Sequence, residues 1–210
     1  MAPAEHDRGA FEDCIRGGGV VVFGSDTVYG LACDPLSRVA VERLYALKRR
    51  ADDKPAAVMY FSLEVALAAL PEHGARTRAA LAGLLPGAVT LLLPNPRGRF
   101  PLACASDPAT LGLRVPVLPA LAGVRAPVLQ SSANRAGGPD ARRLADVPDA
   151  IREGADLVLD GGSLPGTPST VIDLRAYEQE GRWAVLRAGA MPEAAIGTVL
   201  HPPSSGDKRP

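Results

Sequence analysis

Four cationic side chains crowd one short segment, LYALKRRADDKPAAV, from Leu44 to Val58. The chain otherwise favours arginine. It holds 20 Arg and 3 Lys, yet Lys48 and Lys54 both fall here, flanking Arg49 and Arg50. Such a group can neutralise a polyphosphate. The plainer reading is a helix C-terminus, where cations gain about 0.3–1 kcal/mol from the helix dipole. Asp52 and Asp53 fit neither reading.

Other polar clusters adjoin short apolar runs. GSDTVYGLACD (24–34) puts Ser25, Asp26 and Thr27 just after a strand-like run, where α/β sheets gather ligands. A turn with Asp26 bonded to backbone amides explains it equally. QSSANRAGGPD (130–140) offers Ser131, Ser132 and Asn134 beside a Gly-Gly-Pro turn, neutral groups that bond phosphate or a base edge. TLGLRVP (110–116) sets Arg114 in an apolar strand. A buried guanidinium needs an anionic partner, either a ligand or a protein carboxylate. PSTVIDL opens a strand with Ser169 and Thr170, and WAVLRAG closes one with Arg187. Together these clusters suggest a polar cleft for an anionic ligand.

Several chemistries are excluded. GGGVVVF has its glycines before the strand, not after it as a dinucleotide loop requires. GGSLPGT has the glycine spacing of a phosphate loop but continues Thr167-Pro168, without the lysine that reaches phosphate. His6, His73 and His201 are scattered, and Cys14, Cys33 and Cys104 have no CxxC spacing. No fixed metal site and no Ser-His or Cys-His pair is expected. The cysteines read as reduced thiols of a cytoplasmic protein.

The elements that must hold these residues are short. Apolar, β-rich runs recur at 19–23, 56–61, 88–93, 110–115, 126–130, 156–160, 169–174 and 183–187. Helical patterns intervene after Ser37, after Ser62, over RTRAALAGL and over VPDAIREG. The alternation predicts an α/β fold, and the strand-only stretches predict a mixed parallel and antiparallel sheet. One domain is expected over 8–192, with tails at 1–7 and 193–210. No apolar run is long enough to span a membrane, and the N-terminus has no signal core. Equal counts of 23 basic and 23 acidic residues argue against strong, salt-sensitive RNA binding.

In this order the clusters resemble the YrdC/TsaC family of threonylcarbamoyl-AMP synthases, in its short single-domain form. The family pattern runs PTDTVYGLG, KxRP…KPL, WPGPLTLIL, TVAVRVP, SANxSG, STVVD, LRPG. Here it stands as GSDTVYGLA, KRRADDKPAA, LLPGAVTLLL, TLGLRVP, SANRAGG, STVID and LRAGA. Departures are Gly24-Ser25, Leu85, Ala136, Met59 and Asp140, the last where a small hydroxyl is common. The resemblance implies a twisted mixed sheet flanked by helices around a deep, positively lined cavity. It implies a nucleotidyltransferase that condenses L-threonine, bicarbonate and ATP into threonylcarbamoyl-AMP and pyrophosphate, for threonylcarbamoyladenosine modification of tRNA. ATP enters as a substrate with Mg2+, without a tightly bound cofactor or fixed metal ligands.

By motif, Lys48 and Arg50 are the catalytic cations. Arg50, Lys54, Thr110, Gln130, Ser132, Asn134, Asp140 and Arg187 lie around ATP. Thr27, Arg114, Ser169 and Thr170 hold threonine. The expected partners are the downstream tRNA-modification proteins, with weak contact to tRNA or double-stranded RNA at most. Two alternatives stay open: a YrdC-like RNA- or nucleotide-binding module without turnover, and a related carbamoyl-adenylating enzyme that uses another amine.

Overall fold

Every apolar run named above forms a strand in the computed structural model, which describes residues 3–51 and 53–200. The strands are β1 (Val21–Gly24), β2 (Tyr29–Cys33), β3 (Ala57–Met59), β4 (Val89–Pro94), β5 (Thr110–Arg114), β6 (Val128–Ser132), β7 (Leu157–Leu159), β8 (Thr170–Asp173) and β9 (Ala184–Arg187). They join one nine-stranded sheet in the order β7-β1-β2-β6-β3-β5-β4-β8-β9. Pairs β1–β7, β3–β5 and β4–β8 are parallel, and the remaining pairs are antiparallel. The mixed sheet expected from the strand-only stretches is therefore present.

β2 escaped the periodicity because its residues are buried on both faces, so no alternation marks it. Its tyrosine carries a polar tip that still finds partners. Tyr29 donates to Asp160 Oδ1 at 2.7 Å and accepts from the Gly161 amide at 2.9 Å.

The helices are α1 (Pro3–Arg16), α2 (Arg38–Lys48), α3 (Leu63–Ala69), α4 (Ala75–Leu84), α5 (Pro101–Cys104), α6 (Asp149–Gly154), α7 (Tyr177–Glu180) and α8 (Glu193–Leu200). Ser37 and Ser62 cap α2 and α3 through their hydroxyls, as their positions before apolar periods predict. Two boundaries differ from expectation. α1 begins inside the presumed 1–7 tail. Residues 193–200, also taken as tail, form α8, because Ile196 and Leu200 are buried and Tyr177 Oη donates to the Leu200 carbonyl at 2.8 Å. Residues 201–210 lie outside the described residues.

The two sheet faces differ. Val58, Leu91, Leu111, Leu113, Leu129 and Ile172 point into the larger core, beneath the layer containing α2, α4, α6, α7 and α8. Met59, Val128, Val21 and Phe23 point the other way, where Phe11 and Ile15 of α1 and the 119–121 turn cover them. This second cover meets only the β1, β2, β3, β6 and β7 part of the sheet. The same face of β5, β4 and β8 presents Gly112, Arg114, Thr90 and Val171 and has no helix over it among the described residues.

The connection 160–169 between β7 and β8 must cross the sheet. Ten residues reach at most about 36 Å, and seven strand spacings on a flat sheet span about 34 Å. The sheet is curled instead: Arg114 of β5 reaches Thr27 in the β1–β2 turn at 3.3 Å. The connection follows the curl as a strap. Its Gly166 amide bonds the Thr27 carbonyl at 2.9 Å, and Gly161 lies flat on Gly24, where a Cβ on either would approach the other Cα to 2.8 Å.

Candidate active site

The half-open face forms a cavity of about 190 Å3. Period-2 alternation decides which side chains reach it. Gln130 and Ser132 of β6, Ala57 of β3, Arg114 of β5, Thr90 of β4 and Val171 of β8 all stand on this face and line it. Ala57 pairs with Gly112 and with Gln130, so small residues lie at its middle. Arg50, Thr27, Asp140, Ser169 and Arg187 complete the polar wall. The volume is below the ~300–1,000 Å3 of most small-molecule sites. A nucleotide would therefore lie partly on open surface, with its smaller partner enclosed.

Arg187 gets there through a backbone irregularity. Arg187 pairs with Val171 but Val185 pairs with Ile172, so Leu186 is bulged out of register and 55% exposed. In a regular strand Arg187 would share the face of Val185, which packs on the larger core. The bulge turns it to the cavity, where Nη2 donates to the Ser169 carbonyl at 2.8 Å. Ser169 Oγ in turn bonds Thr90 Oγ1 at 2.8 Å. Gly189, two residues on, is required by contact: a Cβ would meet the Pro168 carbonyl oxygen at 2.3 Å and the Thr170 nitrogen at 2.6 Å.

Arg114 is 3% exposed. Nη2 pairs with Asp26 Oδ1 and lies 3.3 Å from Thr27 Oγ1. The protein carboxylate weighed in the sequence is therefore real. It occupies one edge of the guanidinium only, because Nε is buried without a partner among the described residues. Burial pulls the Arg114 pKa down and Asp26 opposes it. Asp26 also accepts from Ser25 Oγ at 3.0 Å and from the Val117 amide at 3.3 Å. Sequence reasoning gave Asp26 only a turn role. Its place between a polar loop and a buried strand arginine was the available signal.

Lys48 is 1% exposed and outside the lining. Its ammonium bonds the Ser132 carbonyl, the Asn134 carbonyl at 2.8 Å and Asn134 Oδ1 at 3.0 Å. Asn134 also accepts from Ser132 Oγ at 2.7 Å and donates to the Gly138 carbonyl at 2.7 Å. Lys48 thus meets the SAN segment, as the KxR and SxN pairing requires, but as an internal clamp. Three donors on three protein oxygens leave it no hydrogen for a triphosphate, which corrects its assignment as a catalytic phosphate contact. Burial, then Arg50, pull its pKa from 10.5 to about 8, and Asp140 opposes them.

Arg50 is the cation of this segment that lines the cavity. Its Nη2 donates to the Pro55 carbonyl at 2.6 Å, its Cζ sits 5.7 Å from the Tyr45 ring centroid, and Nε is buried without a partner. Four other expected contacts fall outside the lining, among them Asn134, which is taken up by Lys48, Ser132 and the Gly138 carbonyl. Lys54 is exposed, and its carbonyl rather than its ammonium joins the network, accepting from Arg50 and Tyr45. Thr170 points opposite to Ser169, and its hydroxyl donates to the Met191 carbonyl at 2.7 Å. Thr110 is on the open face two residues beyond Gly112, with its hydroxyl accepting from Arg175 at 3.3 Å.

No His, Cys, Asp and Glu group able to hold a metal by itself occurs among the described residues. Asp140 is the one carboxylate in the lining. That donor set fits a magnesium ion carried on phosphates, which takes one or two protein carboxylates and keeps waters.

Residues 13–189 match the family model Sua5/YciO/YrdC, described as telomere recombination. A threonylcarbamoyl-AMP synthase of Stutzerimonas stutzeri is 34% identical over 169 residues, 78% of this chain and 90% of the relative. One from Xanthomonas campestris is 35% identical over 184 residues, 82% and 96%. Among solved structures, P. abyssi Sua5 complexed with L-threonine superposes with a TM-score of 0.82 at 29% identity, covering 96% of this chain and 59% of that one. This chain therefore spans little more than half of that relative. E. coli YciO shares the fold, with a TM-score of 0.74 at 24% identity over 92% of this chain and 93% of that one. A family match over most of the chain, relatives above one-third identity and the same curled sheet lead to one conclusion: the chain belongs to the Sua5/YciO/YrdC family.

Proposed function

We propose that the protein is a threonylcarbamoyl-AMP synthase, a nucleotidyltransferase acting on L-threonine, bicarbonate and ATP. The observation that carries this reading is the convergence of Arg50, Arg114 and Arg187 on hydroxyl-bearing residues in one cavity. Three cations suit a substrate with a carboxylate at one end and phosphates at the other. Arg114, with its unpartnered Nε, takes the amino-acid carboxylate. Thr27 and Ser169 beside it read a small hydroxylated side chain. Arg50, Ser132, Gln130 and Arg187 take the nucleotide.

In the reaction the threonine amine and bicarbonate form a carbamate with loss of water. A carbamate oxygen attacks the α-phosphorus, and the α–β bridging oxygen leaves with pyrophosphate. The carbamate is already anionic, so that step needs no strong protein base, and no histidine among the described residues lines the cavity. The residues position the two substrates and stabilise the charge that builds on the phosphates. Magnesium, bound with the nucleotide, supplies further neutralisation of the phosphates. No described helix is long and apolar enough to cross a membrane, and we assign the protein to the cytoplasm, serving tRNA-modification partners.

The test is ATP- and bicarbonate-dependent pyrophosphate release across a panel of amino acids. Release with threonine is expected. Release with a different amine alone would replace threonine by that amine. ATP binding without release for any amine would leave a nucleotide-binding module.

A further inference from the structure

Asp140 is at odds with its surroundings. It shares the cavity wall with Arg50, Arg114 and Arg187 but, among the described residues, pairs with none of them. Its one hydrogen bond is a long one, 3.4 Å from Asn134 Nδ2 to Oδ1, and Oδ2 receives none. Lys48, whose charge Asp140 does feel, has its donors on the Ser132 and Asn134 oxygens. An ionised carboxylate beside a bound polyphosphate repels it unless a cation lies between them. A hard divalent ion suits that place, since it takes oxygen ligands from one carboxylate, water and phosphate together.

We propose that Asp140 is the protein's ligand for a divalent cation whose remaining ligands come from the nucleotide and water. The site then receives ATP as its metal complex and rejects the bare triphosphate. This rests on the nucleotide reading above. It adds that one side chain makes affinity conditional on the metal.

The test measures ATP binding by calorimetry in excess Mg2+ and in EDTA, for the wild type and Asp140→Ser. Wild type should lose ~10-fold or more in affinity without metal, the scale of one nearby like charge. Asp140→Ser should bind metal-free ATP more tightly than wild type does, bringing the two conditions within ~3-fold. A misfolded variant cannot gain affinity, so that gain is diagnostic. An unchanged metal dependence in the variant overturns the proposal. So does a wild-type preference for ATP over 2′-deoxy-ATP that the variant loses with its metal dependence intact, because the carboxylate would then be reading the ribose. Absence of ATP binding by both proteins in both buffers overturns the nucleotide reading itself, and this inference with it.

Discussion

Arg50 and Lys48 sit two positions apart and do different work. Arg50 faces the cavity with an unpartnered Nε, so Arg50→Ala should lower the rate of pyrophosphate release by about 2–4 kcal/mol of transition-state stabilisation. Wild-type release by that variant would reject the role. Lys48 acts through the loop it clamps, and its lowered pKa makes this sensitive to pH. Its folded value is about 8 against 10.5 for the unperturbed group. Below pH 8 both folded and unfolded chains carry the proton, and burying the ammonium costs about 3 kcal/mol relative to the amine. Between about pH 8 and 10.5 the unfolded chain keeps a proton that the folded chain has released, so this group's contribution to stability rises with pH. The neutral amine has two hydrogens for three oxygens. ATP affinity should therefore fall above pH 8 while Lys48 adds stability. Titrations from pH 7 to 9.5 check it, and an affinity that falls only where the protein melts would contradict it.

At the scale of elements, the Leu186 bulge is the device that delivers Arg187. Deleting Leu186 would close the bulge and leave Arg187 next to Val185 in a regular strand, still opposite Val171 and still on the cavity side of the sheet. The deletion should keep the fold and keep ATP binding well above that of Arg187→Ala. Binding as weak as that of Arg187→Ala would show that Arg187 needs the bulge itself and not only its place opposite Val171. Helix α8 makes a second case: Ile196→Ala should destabilise the protein by about 2–5 kcal/mol, readable in denaturant melts, whereas a tail residue would cost nothing. The sequence made the strands legible wherever hydrophobic runs met Gly, Pro or Asp, and Ser37 and Ser62 marked two helix starts. It hid β2, whose burial on both faces erased alternation, and α8, whose anchor is a hydrogen bond from the distant Tyr177. Much of the site was legible by residue type. Which of Ser169 and Thr170 faces the cavity, and that Lys48 is enclosed, depended on strand parity and on a loop that meets α2 only in three dimensions.

For the whole molecule, the curled sheet brings the β1–β2 turn against β5. β7 closes the outer edge of β1, and the Val20 amide bonds Asp156 across a separation of 136 residues. β2 pairs with β6 over a comparably long reach. Pairings this distant in sequence slow folding, so refolding should take milliseconds to seconds or longer, and stopped-flow fluorescence of Trp183 can time it. Submicrosecond or microsecond recovery would contradict the long-range order. The same separation sets a schedule during synthesis. At about 5–20 residues per second, β7 emerges roughly 7–27 s after β1. Through that interval Val21, Val22 and Phe23 form an apolar strand whose outer edge has no native neighbour, open to any other strand that meets it. The last-made strand of that half thus acts as a stopper, and a ribosome that pauses before residue 157 leaves the newborn chain at its most adhesive.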